Sequence, residues 1–284
     1  MQFTQRWIET ATGSKYMHLW EPENPQALVC LVHGLGEHGG RYHSLGNAFA
    51  EQRILTVAFD QQGHGKSPEM RGCIGSYEAL LDDIQSFTAW AQSEFGLTPT
   101  LLGHSMGGNL VINLALRRPT SVSSCIASSP MIHAVRTPNR IFEAFAKILM
   151  RLAPNYRLHS EVEPAHLMSD PVEQKLLSDD ELFHSQLSLR LGGALLDSGR
   201  WALANASRLS VPMLLSHGTN DSRTCPQASQ MFASRAPDYC ELAILQGMLH
   251  DPFRDLDRDR IIPKFVEFTM RCSRSIHSST GAIL

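Results

Sequence analysis

Thr100-Leu101-Leu102, Gly103-His104-Ser105-Met106-Gly107-Gly108 and Asn109-Leu110-Val111-Ile112-Asn113-Leu114-Ala115-Leu116 follow one another as a short apolar strand, a glycine-flanked turn and a helix that stops before Pro119. The turn matches G-x-S-x-G. That pattern in that context lifts a serine hydroxyl out of a sharp strand-to-helix bend, and the glycines allow strand and helix to approach closely. The helix start aims free N–H groups at any negative charge developing beside the serine. Ser105 is therefore the candidate nucleophile.

Outward from this turn, strand-length apolar runs recur at Phe3–Thr10, Lys15–Trp20, Ala27–His33, Ile54–Phe59, Thr100–Gly103, Val122–Ser128, Pro212–Ser216 and Tyr239–Leu245. Leu28–Val32 and Ile54–Phe59 are almost wholly apolar rather than alternating, as strands covered on both faces are. Amphipathic stretches at Arg41–Gln52, Tyr77–Phe95, Met106–Arg118, Pro226–Ala236 and Ile261–Met270 separate them. Strand–helix alternation of this kind means βαβ units and an α/β fold, with an opening hairpin near Gly13-Ser14. Between Met131 and Arg208 the rhythm changes to a helical pattern punctuated by Pro138, Pro154, Pro164 and Pro171, with no convincing strand. The expected organisation is a core formed by 1–130 and 209–272, a helical cap inserted at 131–208, and a Ser/Thr-rich disordered tail at 273–284.

A serine hydroxyl needs a base, and a scaffold with the nucleophile on such a turn carries its partners in the order serine, acid, histidine, each after a strand. Val211–Ser216 is followed by His217-Gly218-Thr219-Asn220-Asp221, and Glu241–Leu245 by Gln246-Gly247-Met248-Leu249-His250. Asp221 is the expected acid and His250 the expected base. Asp60 ends a strand but precedes Ser105, Asp251 is adjacent to the base and points elsewhere, and Asp238 and Asp255 follow no core strand; His217 is read as a structural loop residue. An oxyanion hole needs two preorganised N–H donors. Met106, after the nucleophile, supplies one, and Leu35 the other, from the Gly-rich loop His33-Gly34-Leu35-Gly36-Glu37-His38-Gly39-Gly40-Arg41-Tyr42.

That loop, together with Phe59-Asp60-Gln61-Gln62-Gly63-His64-Gly65-Lys66-Ser67, Gly103–Gly108, His217–Asp221 and Gly247–His250, resembles the monoacylglycerol lipase / lysophospholipase group of α/β-hydrolases, also described as serine aminopeptidase, S33. The resemblance covers about Gln26–Phe268 apart from the cap. It implies an eight-stranded, mostly parallel sheet flanked by helices with a helical cap, and a serine hydrolase acting on carboxylic esters of single-acyl lipids through an acyl-enzyme. The family's triad falls on Ser105, Asp221 and His250 and its oxyanion donors on Leu35 and Met106. Glu37 and Arg41 match positions that brace the loop or meet a polar head group. Gln62 stands where the family carries arginine, and Asp-Pro-Phe follows the histidine. A thioesterase or peptidase on the same triad, a non-catalytic hydrolase-like ligand-binding protein, or a cofactor-free oxygenase are the rival readings, because chemistry on a shared fold follows the pocket.

Composition excludes several classes. The chain has 284 residues, 43% hydrophobic and 19% charged, with 25 basic and 28 acidic residues, so a nucleic-acid partner is not expected. No run of about 18 apolar residues offers a membrane span, and the first residues lack the charged start and apolar run of a signal peptide. The six scattered cysteines form no C-x-x-C pair, and the thirteen histidines show no metal-ligand spacing. A cytoplasmic protein with reduced thiols and neither metal nor organic cofactor is the expectation. Residues 131–160 carry five basic residues (Arg136, Arg140, Lys147, Arg151, Arg157) against Glu143. The helix expected at Ile141–Leu152 either covers an acyl tunnel with its basic residues in solvent, or touches a lipid surface, making the protein peripheral at membranes.

Overall fold

The computed structural model describes residues 1–135, 148–159 and 162–280. Eight strands form one sheet: β1 Gln2–Thr10, β2 Gly13–Glu21, β3 Ala27–Val32, β4 Ile54–Phe59, β5 Pro99–His104, β6 Ser124–Ser128, β9 Met213–Gly218 and β10 Cys240–Leu245. Their order is β1-β2-β4-β3-β5-β6-β9-β10. The hairpin β1–β2 and the β2–β4 pair are antiparallel, and every pair from β4 to β10 is parallel. This is the mostly parallel eight-stranded α/β-hydrolase sheet.

Parallel strands need crossovers, and helices supply them: α1 His43–Glu51, α2 Tyr77–Phe95, α3 Met106–Arg117 and α6 Pro226–Arg235, while α7 Ile262–Thr280 follows the last strand and packs on the sheet. The continuous apolar runs are explained by the strand period of two. Along β3, Leu28, Cys30 and Val32 enter a core with α2 and α3, whereas Ala27, Val29 and Leu31 enter a second core with α1 and α7. Caps fit the sequence as well. Ser76 accepts from Ala79 N at the start of α2, and Gly96 closes that helix at φ +67°.

Between β6 and β9 lie α4 Pro171–Ser178, α5 Leu189–Ala204 and helical residues 148–152. Most of the helix expected at Ile141–Leu152, with Arg136, Arg140 and Lys147, lies outside the described residues. Two strands, β7 Arg157–His159 and β8 Gln186–Ser188, pair antiparallel in this region, where the sequence pattern offers none. Three residues are too few to display a period, and their pairing is long-range. α5 packs on α3: Ser198 Oγ donates to Asn109 Oδ1 at 2.9 Å, Asn113 Nδ2 donates to Ser198 O at 3.3 Å, and Leu191, Leu195 and Ala202 share the α3 core. At the C-terminus α7 runs on through Thr280, although Ser/Thr content from Ser273 onward predicts no structure. Cys272 and Ser273 are buried there, and Ser273 Oγ donates to Gln26 O at 3.0 Å, which ties the helix to the core before the Ser/Thr run begins. All six cysteines are free thiols.

Candidate active site

Ser105 joins β5 to α3 at φ 53°, ψ −111°, a backbone region that favours glycine. The bend is held from three sides: Ser105 N donates to Ser128 O, and Ser105 O accepts from Asn109 N and Met131 N. Glycine is required on both flanks. A Cβ on Gly103 would lie 2.3 Å from Gly107 O, and one on Gly107 would lie 1.9 Å from Val32 O.

Asp221 follows β9 and His250 follows β10, so both leave the same carboxyl edge of the parallel sheet as Ser105. The two loops are joined by Thr219 N to Leu245 O and Asn220 N to Met248 O, each 3.0 Å. His250 Nε2 lies 3.0 Å from Ser105 Oγ, and His250 Nδ1 lies 2.8 Å from Asp221 Oδ2. The residues that the sequence order groups as nucleophile, base and acid are thus in contact. Asp221 also accepts from Arg223 N, Thr224 N and Thr224 Oγ1. Burial opposes its ionisation, but His250 and His217 outweigh that and hold the carboxyl well below its usual range. Burial likewise pulls the His250 imidazole down, and the Asp221 charge and hydrogen bond more than reverse it, leaving His250 raised.

The Gly-rich loop lies against the serine: a Cβ on Gly34 would be 3.4 Å from Ser105 Cβ. Leu35 and Met106 line the same cavity as Ser105, and Met106 opens α3, where N–H groups have no intrahelical acceptor. Glu37 is buried; its Oε1 accepts from Gly34 N at 2.9 Å and from Tyr42 Oη at 2.8 Å. Arg41 lies 3.6 Å from Glu37 and 3.3 Å from Asp180, a residue of the segment preceding β8. Sequence reasoning missed the group that completes this network. Arg254 is buried and bonds Glu37 Oε2 at 3.2 Å, Asp251 Oδ2 and Arg41 O. Burial opposes the Glu37 charge, and Arg254 chiefly, with His104 and Arg41, holds that carboxyl far below the usual range all the same. The signal was present as an arginine four residues after the histidine, but no period marks it.

His217 is the penultimate residue of β9 rather than a loop residue, and its Nε2 lies 3.0 Å from Asp221 Oδ2. The Gln62 amide braces its surroundings: Nε2 donates to Thr12 Oγ1 and to the Asp83 carboxylate at Oδ2, and Oε1 accepts from Gly75 N. His104 packs 5.0 Å from the His250 ring, and burial pushes its imidazole down to about 4. Among the described residues, His18, His38 and Asp60 bring donor atoms within 4.8 Å of one another. His18 Nε2 is bonded to Asp60 Oδ1, and the two Asp60 oxygens also accept Gly39 N and Lys66 N, so this set braces the Gly-rich loop.

Ser105 opens on a cavity of about 780 Å³, within the range of small-ligand sites. Its walls are mainly apolar, among them Leu149, Met150, Leu177, Leu187 and Leu195, with Arg41 and Asp251 beside the triad.

The family described as serine aminopeptidase, S33, matches residues 23–257. A monoacylglycerol lipase of Mycolicibacterium smegmatis is 28% identical over 247 residues, 86% of this chain and 88% of that protein. An uncharacterised abhydrolase domain-containing protein of Dictyostelium discoideum is 30% identical over 256 residues; they are 89% of this chain but span only 27% of that relative. The crystal structure of Paleococcus ferrophilus monoacylglycerol lipase superposes with a TM-score of 0.81 at 32% identity, covering 96% of this chain and all of that one.

Proposed function

The chain belongs to the serine aminopeptidase S33 family of α/β-hydrolases, and from that premise we propose that it is a carboxylic ester hydrolase cleaving single-acyl lipids, monoacylglycerols or lysophospholipids, through an acyl-enzyme. One observation carries the reading: the Ser105–His250–Asp221 chain of contacts, at 3.0 and 2.8 Å, opens on an apolar cavity large enough for an acyl chain. Relatives named monoacylglycerol lipase support the substrate class.

In this mechanism Ser105 Oγ attacks the ester carbonyl carbon while His250 Nε2 takes its proton. Asp221 fixes the Nδ1–H tautomer and stabilises the imidazolium. The Leu35 and Met106 amides hold the oxyanion, and one such donor typically contributes about 3–4 kcal/mol to the transition state. Collapse breaks the ester C–O bond, and the leaving alcohol takes the proton from His250. Water, deprotonated by His250, then attacks the acyl-enzyme, releasing the fatty acid and restoring Ser105. No metal or organic cofactor enters this scheme. The segment 131–208 serves as the cap over the acyl cavity. Exposed Ile148, Leu152, Val172 and Leu176 support peripheral contact of that cap with a lipid surface, with the chain otherwise in the cytoplasm.

Turnover of a monoacylglycerol, a lysophospholipid, an acyl-CoA and an aminoacyl amide, side by side, tests the substrate class. The two lipid esters should be cleaved fastest, and Ser105→Ala should abolish turnover of each. Preference for the thioester or the amide would overturn the reading, as would activity of the alanine variant.

A further inference from the structure

Asp221 lies between two imidazoles. His250 Nδ1 approaches Oδ2 from the substrate side at 2.8 Å, and His217 Nε2 approaches the same oxygen from within the sheet at 3.0 Å. His217 is wholly buried, and its other nitrogen, Nδ1, lies 2.7 Å from Ser229 Oγ on α6. An ionised carboxylate only accepts, so His217 Nε2 carries a proton toward Asp221. In the neutral ring Nδ1 then accepts from the Ser229 hydroxyl. With Thr224 Oγ1 on Oδ2, and the Arg223 and Thr224 amides on Oδ1, five donors converge on one carboxylate.

We propose that His217 is a positioning residue for the reaction: anchored by Ser229, it locks the Asp221 carboxylate in the plane that His250 needs and offsets part of the charge with which Asp221 draws the His250 proton. This rests on the triad reading above. Thr224 and the two amides fix Asp221 from its own loop, whereas His217 and Ser229 fix it from β9 and α6. That second attachment ties the acid directly to the sheet and to α6. It also shares Oδ2, the oxygen whose charge must serve the imidazolium as Ser105 attacks.

Removing the His217 N–H leaves the Asp221 charge less offset, so His250 holds its proton more tightly. Because His250 must be neutral to act as base, the acid limb of kcat/KM moves to higher pH. The charged and titratable groups facing His250 are Asp221, Asp251, Arg223 and His104, and none of them changes in the His217 and Ser229 variants below.

The test is the pH dependence of ester hydrolysis for the wild type, His217→Met, His217→Gln and Ser229→Ala, with Asp221→Ala as reference. His217→Met should lower kcat about ten- to a hundredfold, the size of one lost hydrogen bond to a charged group, with little change in KM. Its acid limb should shift upward. His217→Gln, which restores an N–H beside Oδ2, should recover most of kcat and return the limb toward the wild-type position; Ser229→Ala should fall between. A merely structural residue would lower Tm without moving the limb or kcat, and that result for His217→Met overturns the inference. Should His217→Met fail to fold, Ser229→Ala decides it: an unmoved limb and unchanged kcat reject the proposal. Full activity in Asp221→Ala would remove the premise instead, which separates the two failures.

Discussion

Ser105 holds a backbone conformation that an L-residue adopts at a cost of about 1–3 kcal/mol, and the bonds to Ser128, Asn109 and Met131 keep it there. Ser105→Gly should therefore end turnover yet raise Tm by roughly 2 °C, measurable by calorimetry; a lower Tm would mean that the bend is unstrained. At His250 the imidazole lies above the ordinary value of about 6.5, because Asp221 outweighs burial. The neutral form is the base, so kcat/KM should fall as pH drops through a value above 6.5, and a limb well below 6 would contradict this assignment. Arg254 is ion-paired with two buried carboxylates, Glu37 and Asp251. Arg254→Met should destabilise the fold by about 3–5 kcal/mol in a denaturant titration, since Glu37 and Asp251 lose their shared cation. At this scale the meeting of Ser105, Asp221 and His250 was legible because each follows its own strand, in a fixed order. Arg254 and the second histidine on Asp221 were not, since their meaning lies in side-chain contacts that no local spacing records.

Strands and helices of the sheet were legible for a different reason. The apolar runs of β3 and β4 are long enough to show that both faces are covered, and the amphipathic stretches between them fix the crossovers. The β7–β8 ribbon was not, because three-residue strands carry no period. The helix α5 gives a second lesson. Gly192 and Gly193 stand in its interior, where each costs about 1 kcal/mol relative to alanine, and both line the cavity. A Cβ on Gly193 would lie 2.1 Å from Met150 Sδ, and one on Gly192 would meet Leu187 at 3.4 Å. Both glycines thus border the cavity at the expense of helix propensity. Gly192→Leu should fill that space and lower kcat/KM for long-chain relative to short-chain esters by about tenfold or more; an unchanged ratio would place the acyl chain elsewhere.

Across the whole molecule, the site is a consequence of sheet order. Ser105 and His250 are 145 residues apart, and Glu37 and Arg254 are 217 apart, yet the parallel strands of one sheet bring their loops to the same edge. Among the described residues no helix is long and apolar enough to cross a membrane. Reaction of the full chain with a fluorophosphonate, followed by peptide mapping of the adduct by mass spectrometry, asks whether this edge makes one serine uniquely nucleophilic. One phosphonyl group per chain is expected, on Ser105, formed much more slowly in a His250→Ala variant. An adduct on another residue, or labelling as fast without the imidazole, would contradict it.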